Sequence, residues 1–277
     1  MDAICGWYGI TRQAHYQKLR RQREREQFEE VILDKVRMIR HRHPRMGGRK
    51  LLQKLGPELD REGISLGRDR FFGLLGRHDL LVSPPRQRRR TTRSGIWRSP
   101  NLLKDLPIIT VQQVWVGDIT YLQTETGFCY LFLLTDAYSR YIVGYDLSTS
   151  LAVEGARRAL GMAIDQASFP LKGLIHHTDH GIQYACRIYR ERLEELGILS
   201  SMGEVGNCYE NALAERMNGI LKQEYGLGDS FPEFAQARRA VREAVWLYNF
   251  ERPHLSLDYE IPAQMHSKKE PEMVIVY

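Results

Sequence analysis

The stretch Val114-Trp115-Val116-Gly117-Asp118-Ile119-Thr120-Tyr121 sets one carboxylate inside a run of β-branched and aromatic residues. Such side chains crowd a helix and suit a pleated surface, so the run reads as a strand over 114–122, with Asp118 near its end. Working outward, residues 128–136 hold the best apolar run of the chain and read as a second strand. Residues 140–147 give a third, joined to the second as a hairpin through Ala137-Tyr138-Ser139. A helix over 152–167, a strand over 173–177, a helix over 185–196 and a short strand over 198–201 follow, and then a last helix. Three strands, helix, strand, helix, strand, helix is the order of an α/β mixed sheet of the ribonuclease-H-like kind.

Two more carboxylates take defined places in that order. Asp179 follows the apolar pair Leu174-Ile175 in His176-His177-Thr178-Asp179-His180-Gly181, at a strand end. Glu215 lies in Asn211-Ala212-Leu213-Ala214-Glu215-Arg216-Met217-Asn218-Gly219-Ile220-Leu221-Lys222, where Leu213, Met217, Ile220 and Leu221 recur at helical spacing. Asn211, Glu215, Asn218 and Lys222 fall on the opposite face. A lone Asp after a strand is usually a turn residue or a cap. Three acids expected at one end of a sheet read instead as a magnesium (or manganese) site of two ions, because hard cations take oxygen ligands and leave positions for phosphate. Asp136 is a fourth acid and is assigned to the hairpin turn.

The 277 residues are 43% hydrophobic, enough for a sizeable core with a smaller domain beside it. Cys5, Cys129, Cys186 and Cys208 have no short pair spacing, which argues against a zinc module or a disulfide framework and fits a reducing cytoplasm. His41 and His43 lack a following cysteine pair. No run reaches the length of a membrane span, and the first residues lack a secretory signal pattern.

Net charge is +6, unevenly placed. Residues 1–100 hold 24 Lys and Arg against 11 Asp and Glu, a net of +13, while the remainder holds 16 against 23, a net of −7. A basic front on an acidic body is the footprint of an arm that meets a polyanion; a solvated basic face is the bland alternative. Residues 1–27 read as a helical segment. Residues 28–82 read as three helices: one over 27–42, one from Gly48 that stops before Gly56-Pro57, and one after Gly63-Ile64 that carries Arg68 and Arg70. That pattern suits a helix-turn-helix on DNA, or a plain helical hairpin. Residues 83–104 form a Pro/Arg linker, whose Arg86, Arg88, Arg89 and Arg90 suit a phosphate backbone or, alternatively, a solubilising hinge. The core is expected over 105–270 and a tail over 271–277.

Four stretches carry a resemblance. They are the one around Asp118; His177-Thr178-Asp179-His180-Gly181-Ile182-Gln183-Tyr184; Gly206-Asn207-Cys208-Tyr209-Glu210-Asn211-Ala212-Leu213-Ala214-Glu215; and Tyr248-Asn249-Phe250-Glu251-Arg252-Pro253-His254. Together they resemble the catalytic core of retroviral-integrase-type transposases, in the second-reading-frame protein of the family of insertion sequence three. Sixty residues separate Asp118 from Asp179, and 35 separate Asp179 from Glu215, the spacing for which the family's acidic triad is named. Glu210, Thr178 and His180 depart from its usual residues without removing a carboxylate of the triad.

The resemblance implies that Asp118, Asp179 and Glu215 bind metal and catalyse cleavage at the ends of a mobile DNA element, then transfer of the freed 3′-hydroxyl to another phosphodiester. It places Asn207, Asn211 and Lys222 among DNA contacts, with an ordinary surface role open for Lys222, and has His254 pack the last helix on the core. It further implies a homo-oligomer on DNA and an upstream-frame partner or frameshift fusion. A nuclease that cuts without joining, or a DNA-binding regulator with an inactive core, would share much of this sequence.

Overall fold

The computed structural model describes residues 11–82, 99–104, 106–168, 170–203 and 212–268, apart from the Arg12 side chain. The chain divides into two compact units, residues 1–83 and 84–277.

In the first unit, α1 (Arg12–Arg42) is a single helix of 31 residues that opens on Thr11, whose hydroxyl accepts from the Ala14 amide. It runs unbroken through residue 27, where the sequence pattern placed a division. Its exposed first half is laced by i,i+4 pairs such as Arg20–Glu24 and Arg25–Glu29, which carry a helix across residues with no core to bury. α2 (Gly48–Arg61) and α3 (Arg68–Arg77) pack Leu51, Leu55, Leu59, Phe71, Leu74 and Leu75 against Ile32, Leu33 and Val36 of α1.

α2 continues through Pro57, where a stop was expected. Proline inside a helix costs about 3 kcal/mol. Continuing the helix buries Leu59, a gain of about 2 kcal/mol, and brings Glu58 and Glu62 to the Lys35 ammonium.

The second unit is built on a sheet ordered β3-β2-β1-β4-β5. β1 (Val114–Thr124), β2 (Gly127–Asp136) and β3 (Ile142–Ser148) form an antiparallel meander. β4 (Ile175–Thr178) and β5 (Leu199–Met202) then run parallel to β1. Unforeseen, β6 (Ser230–Phe231) adds a parallel rung at the far end of β1.

Both faces of the sheet are covered, which is why residues 128–134 read as a continuous apolar run rather than an alternation. Phe132 and Leu134 meet α4 (Val153–Asp165) and α6 (Arg187–Glu195) on one face. Leu131 and Leu133 meet α7 (Ala212–Glu224) and α8 (Phe234–Glu251) on the other. α4 lies so close that a Cβ at Gly144 of β3 would stand 2.1 Å from the Ala159 carbonyl oxygen.

The helix expected over 185–196 is broken at Cys186, whose extended backbone separates the four-residue α5 (Ile182–Ala185) from α6. Residues 99–104, expected as linker, belong to this unit: Leu102 and Leu103 pack under β1 and β4, and the Leu102 amide donates to Ser201 Oγ. This is the ribonuclease-H-like mixed sheet that the element order implied. No helix among the described residues is long and apolar enough to cross a membrane.

Candidate active site

Asp118 is the fifth of eleven residues in β1, not a strand end. What ends near it is the neighbouring strand. β4 pairs with β1 from Val114↔Ile175 to Gly117↔Thr178 and stops there, so Asp118 is the first residue of β1 past the parallel pairing. Asp179 is the first residue after β4. One further step of the same register would set it opposite Asp118, with both side chains on the face covered by α7. Backbone ends and polar side chains gather where parallel strands stop, which is where α/β sheets bind ligands.

Both carboxylates are half-buried. Asp179 Oδ1 accepts from the Gly181 amide at 2.9 Å, and a Cβ at Gly181 would lie 2.9 Å from that oxygen, so the turn admits no larger side chain without moving the acid. A buried aromatic cluster packs on the α4 and α6 face of the sheet. Burial chiefly, then Tyr189, and then the charges of Asp118 and Asp179 together push the Tyr184 phenol well above its ordinary pKa, so both acids act on one ring. His176 beside it is fully buried and pushed down to about 4 by desolvation, which keeps it neutral. As a neutral ring it donates from Nδ1 to the Trp115 carbonyl at 3.3 Å and accepts from Tyr189 at 2.8 Å.

Glu215 lies in the first turn of α7 and is exposed. One turn on, Asn218 is buried and donates from Nδ2 to Asp118 Oδ2 at 2.6 Å, so the helix bearing Glu215 is tied directly to the strand bearing Asp118. Among the described residues, no three His, Cys, Asp or Glu side chains stand close enough together to hold a metal ion. Asp118 and Asp179 each follow the last parallel pair, Gly117↔Thr178, and Glu215 is carried on the helix that Asn218 bonds to Asp118. All three donors are carboxylate oxygens, a set that fits a hard divalent cation of the magnesium type.

Lys222, two turns from Glu215 on the same side of α7, is half-buried. In the first unit Arg68 is exposed beside Asp69, and Arg70 is exposed with its guanidinium 4.7 Å from the centre of the Phe28 ring. Asn207, Asn211, Arg86, Arg88, Arg89 and Arg90 lie outside the described residues. Asp136 is the turn residue it was read as: its carboxylate accepts from the Gln112 and Ser139 amides and from Ser139 Oγ.

Asn218 and Tyr184 had no role assigned from sequence, although the i,i+3 spacing of Asn218 from Glu215 marked it. Asn218→Ala is expected to slow catalysis about tenfold by freeing Asp118 from α7, while costing only about 1 kcal/mol of stability. Strand-transfer rates beside melting curves check this; a variant that melts early and loses no activity per folded molecule would show the bond to be purely structural.

A family model described as integrase core domain matches residues 110–208, which contain Asp118 and Asp179. A second of the same description matches 196–262, which contain Glu215. The fold and these matches define an integrase-type core. The chain is 34% identical over 270 residues to an uncharacterized 31 kDa protein of insertion element IS600 from Shigella sonnei, covering 96% of this chain and 98% of that protein. It is 32% identical to the transposase for insertion sequence element IS904 from Lactococcus lactis, covering 84% and 92%. It also resembles the HTLV-2 integrase catalytic core domain in complex with magnesium, at 20% identity and a TM-score of 0.46, over 58% of this chain and 99% of that one. The chain belongs to the insertion-sequence transposases that carry an integrase core domain.

Proposed function

We propose that this transposase cleaves DNA at the ends of its element and joins the freed 3′-hydroxyl to a target strand through Asp118, Asp179 and Glu215. The observation that carries the assignment is that Asp118 and Asp179 each come one residue past the last β1–β4 pair, Gly117↔Thr178, with the Glu215 helix bonded to Asp118 through Asn218. A divalent cation of the magnesium type, held by these three carboxylates, would polarise the scissile phosphate and make water or a DNA hydroxyl a better nucleophile.

The residues do the positioning. Asp118 is fixed by a strand paired with β2 and by the Asn218 amide, and Asp179 by the Gly181 amide. Lys222, on the Glu215 side of α7, contributes a cation to the DNA backbone. Arg68 and Arg70, with the arginines at 86, 88, 89 and 90, make the front of the chain the part that holds DNA electrostatically. Two element ends must be joined in concert, so the working form is a homo-oligomer on DNA.

The test is direct. Purified protein given magnesium or manganese and duplex DNA of the element's ends should yield both nicked and joined products, and chelation should abolish both. Cleavage without joining under every metal condition would favour a simple nuclease and overturn the proposal.

A further inference from the structure

Tyr184 holds a polar atom that the fold has buried without a partner. Its residue is 2% exposed, and its hydroxyl makes no hydrogen bond among the described residues. The ring is well seated, edge-on to His176 at 5.9 Å and to Tyr189 at 5.6 Å. Its polar neighbours are already committed: Tyr189 donates to His176 Nε2, and His176 Nδ1 is engaged by the Trp115 carbonyl. Phenylalanine would fill the same space and avoid the cost of desolvating a hydroxyl.

The acids whose charges act on this phenol are Asp118 and Asp179. The ring edge and the Asp179 carboxylate flank Gly181, where an added Cβ would lie 3.4 Å from Tyr184 Cδ2 and 2.9 Å from Asp179 Oδ1. The backbone between them is a tight turn, closed by the Tyr184 amide on the Gly181 carbonyl at 3.1 Å. The charges of Asp118 and Asp179 both reach the phenol.

We propose that the Tyr184 hydroxyl is a positioning donor for the Asp118–Asp179 pair, giving its hydrogen to one of these carboxylates in the state that carries out strand transfer. This rests on the assignment of those acids as catalytic. A bond absent from the resting state and made in the working one stabilises the second selectively, so it speeds the reaction and adds nothing to resting stability. A purely structural hydroxyl would have the opposite signature.

Tyr184→Phe keeps the ring and its packing and removes only the donor. The experiment compares wild-type protein, Tyr184→Phe and Asp118→Asn in three measurements: melting without metal, the rise in melting temperature on adding manganese, and the rate of strand transfer with element-end duplex. Tyr184→Phe is expected to melt at the wild-type temperature or above it, to show a smaller manganese-induced rise, and to transfer strands about tenfold more slowly. Melting below wild type, whatever the rate, assigns the hydroxyl a structural role and overturns the proposal. So does a rate within about twofold of wild type while Asp118→Asn is inactive, which leaves the acidic assignment standing. Activity in Asp118→Asn removes the assignment and the proposal together.

Discussion

Asp118→Asn is expected to lower both DNA cleavage and joining by about 10³-fold or more while leaving the protein folded. The substitution is isosteric, and Asn218 Nδ2 can still donate to the oxygen of the new amide as it does to Asp118 Oδ2. β1 keeps its ladder, since Asp118 pairs with Leu133 through the backbone alone. What is lost is one of the negative charges that the proposed function assigns to holding a cation and a phosphate. Cleavage and joining are the same displacement with different nucleophiles, so one missing carboxylate removes both. Glu215→Gln should act in the same direction with still less effect on melting, because Glu215 is exposed. Single-turnover rates on element-end DNA and on precleaved ends separate the two steps. Joining that persists in either variant would sink the acidic assignment.

The strands were legible because burial on both faces leaves a signature in composition. Residues 128–134 are apolar at nearly every position since Leu131 and Leu133 face one helical layer while Phe132 and Leu134 face the other. Asp179 was legible for a local reason, a polar residue ending a short apolar run. Asp118 was misjudged as a strand end: β1 continues to Thr124 paired with β2, and only its parallel neighbour stops. Where a neighbour ends is a property of the sheet, so the sequence of β1 does not contain it.

The helical differences have the same origin. Pro57 signals a stop locally, but Leu59 and the two acids around Lys35 lie within the next five residues, and their partners are on α1. Asn218 could be placed on the Glu215 face by spacing, yet its bond to a residue 100 positions away could not. The stop expected at Pro57 gave way to contacts with α1, and the placement of Asn218 held without revealing its partner.

Glu224→Gln is expected to destabilise the second unit by about 3–5 kcal/mol, a fall in melting temperature on the order of 10 °C, through the ion pair that anchors the helix carrying Glu215. Arg252 is 1% exposed, and its guanidinium grips Glu224 through Nε and Nη2, each at 2.8 Å. It also lies 5.5 Å from the centre of the Tyr248 ring. Burial opposes the charge on Arg252, but the paired carboxylate outweighs it and holds the guanidinium above its ordinary pKa. Neutralising Glu224 leaves a buried cation without its counter-charge, which costs far more than the pair itself contributes. Replacing both residues by methionine should therefore recover most of the stability that the single variant loses.

The functional consequence follows from position. Glu224 is the last residue of α7, and Arg252 follows the end of α8, so the pair pins the far end of the helix that carries Glu215 and Asn218. Asn249 fixes the same region to the sheet, exchanging two hydrogen bonds with the Ile142 backbone. His254, expected to pack the last helix, is buried with its ring edge-on to Tyr248. The double methionine variant separates stability from alignment. If it folds and yet transfers strands slowly, the ion pair sets the register of α7 over Asp118; full activity would mean that apolar packing and the Asn218 bond are enough to hold that register.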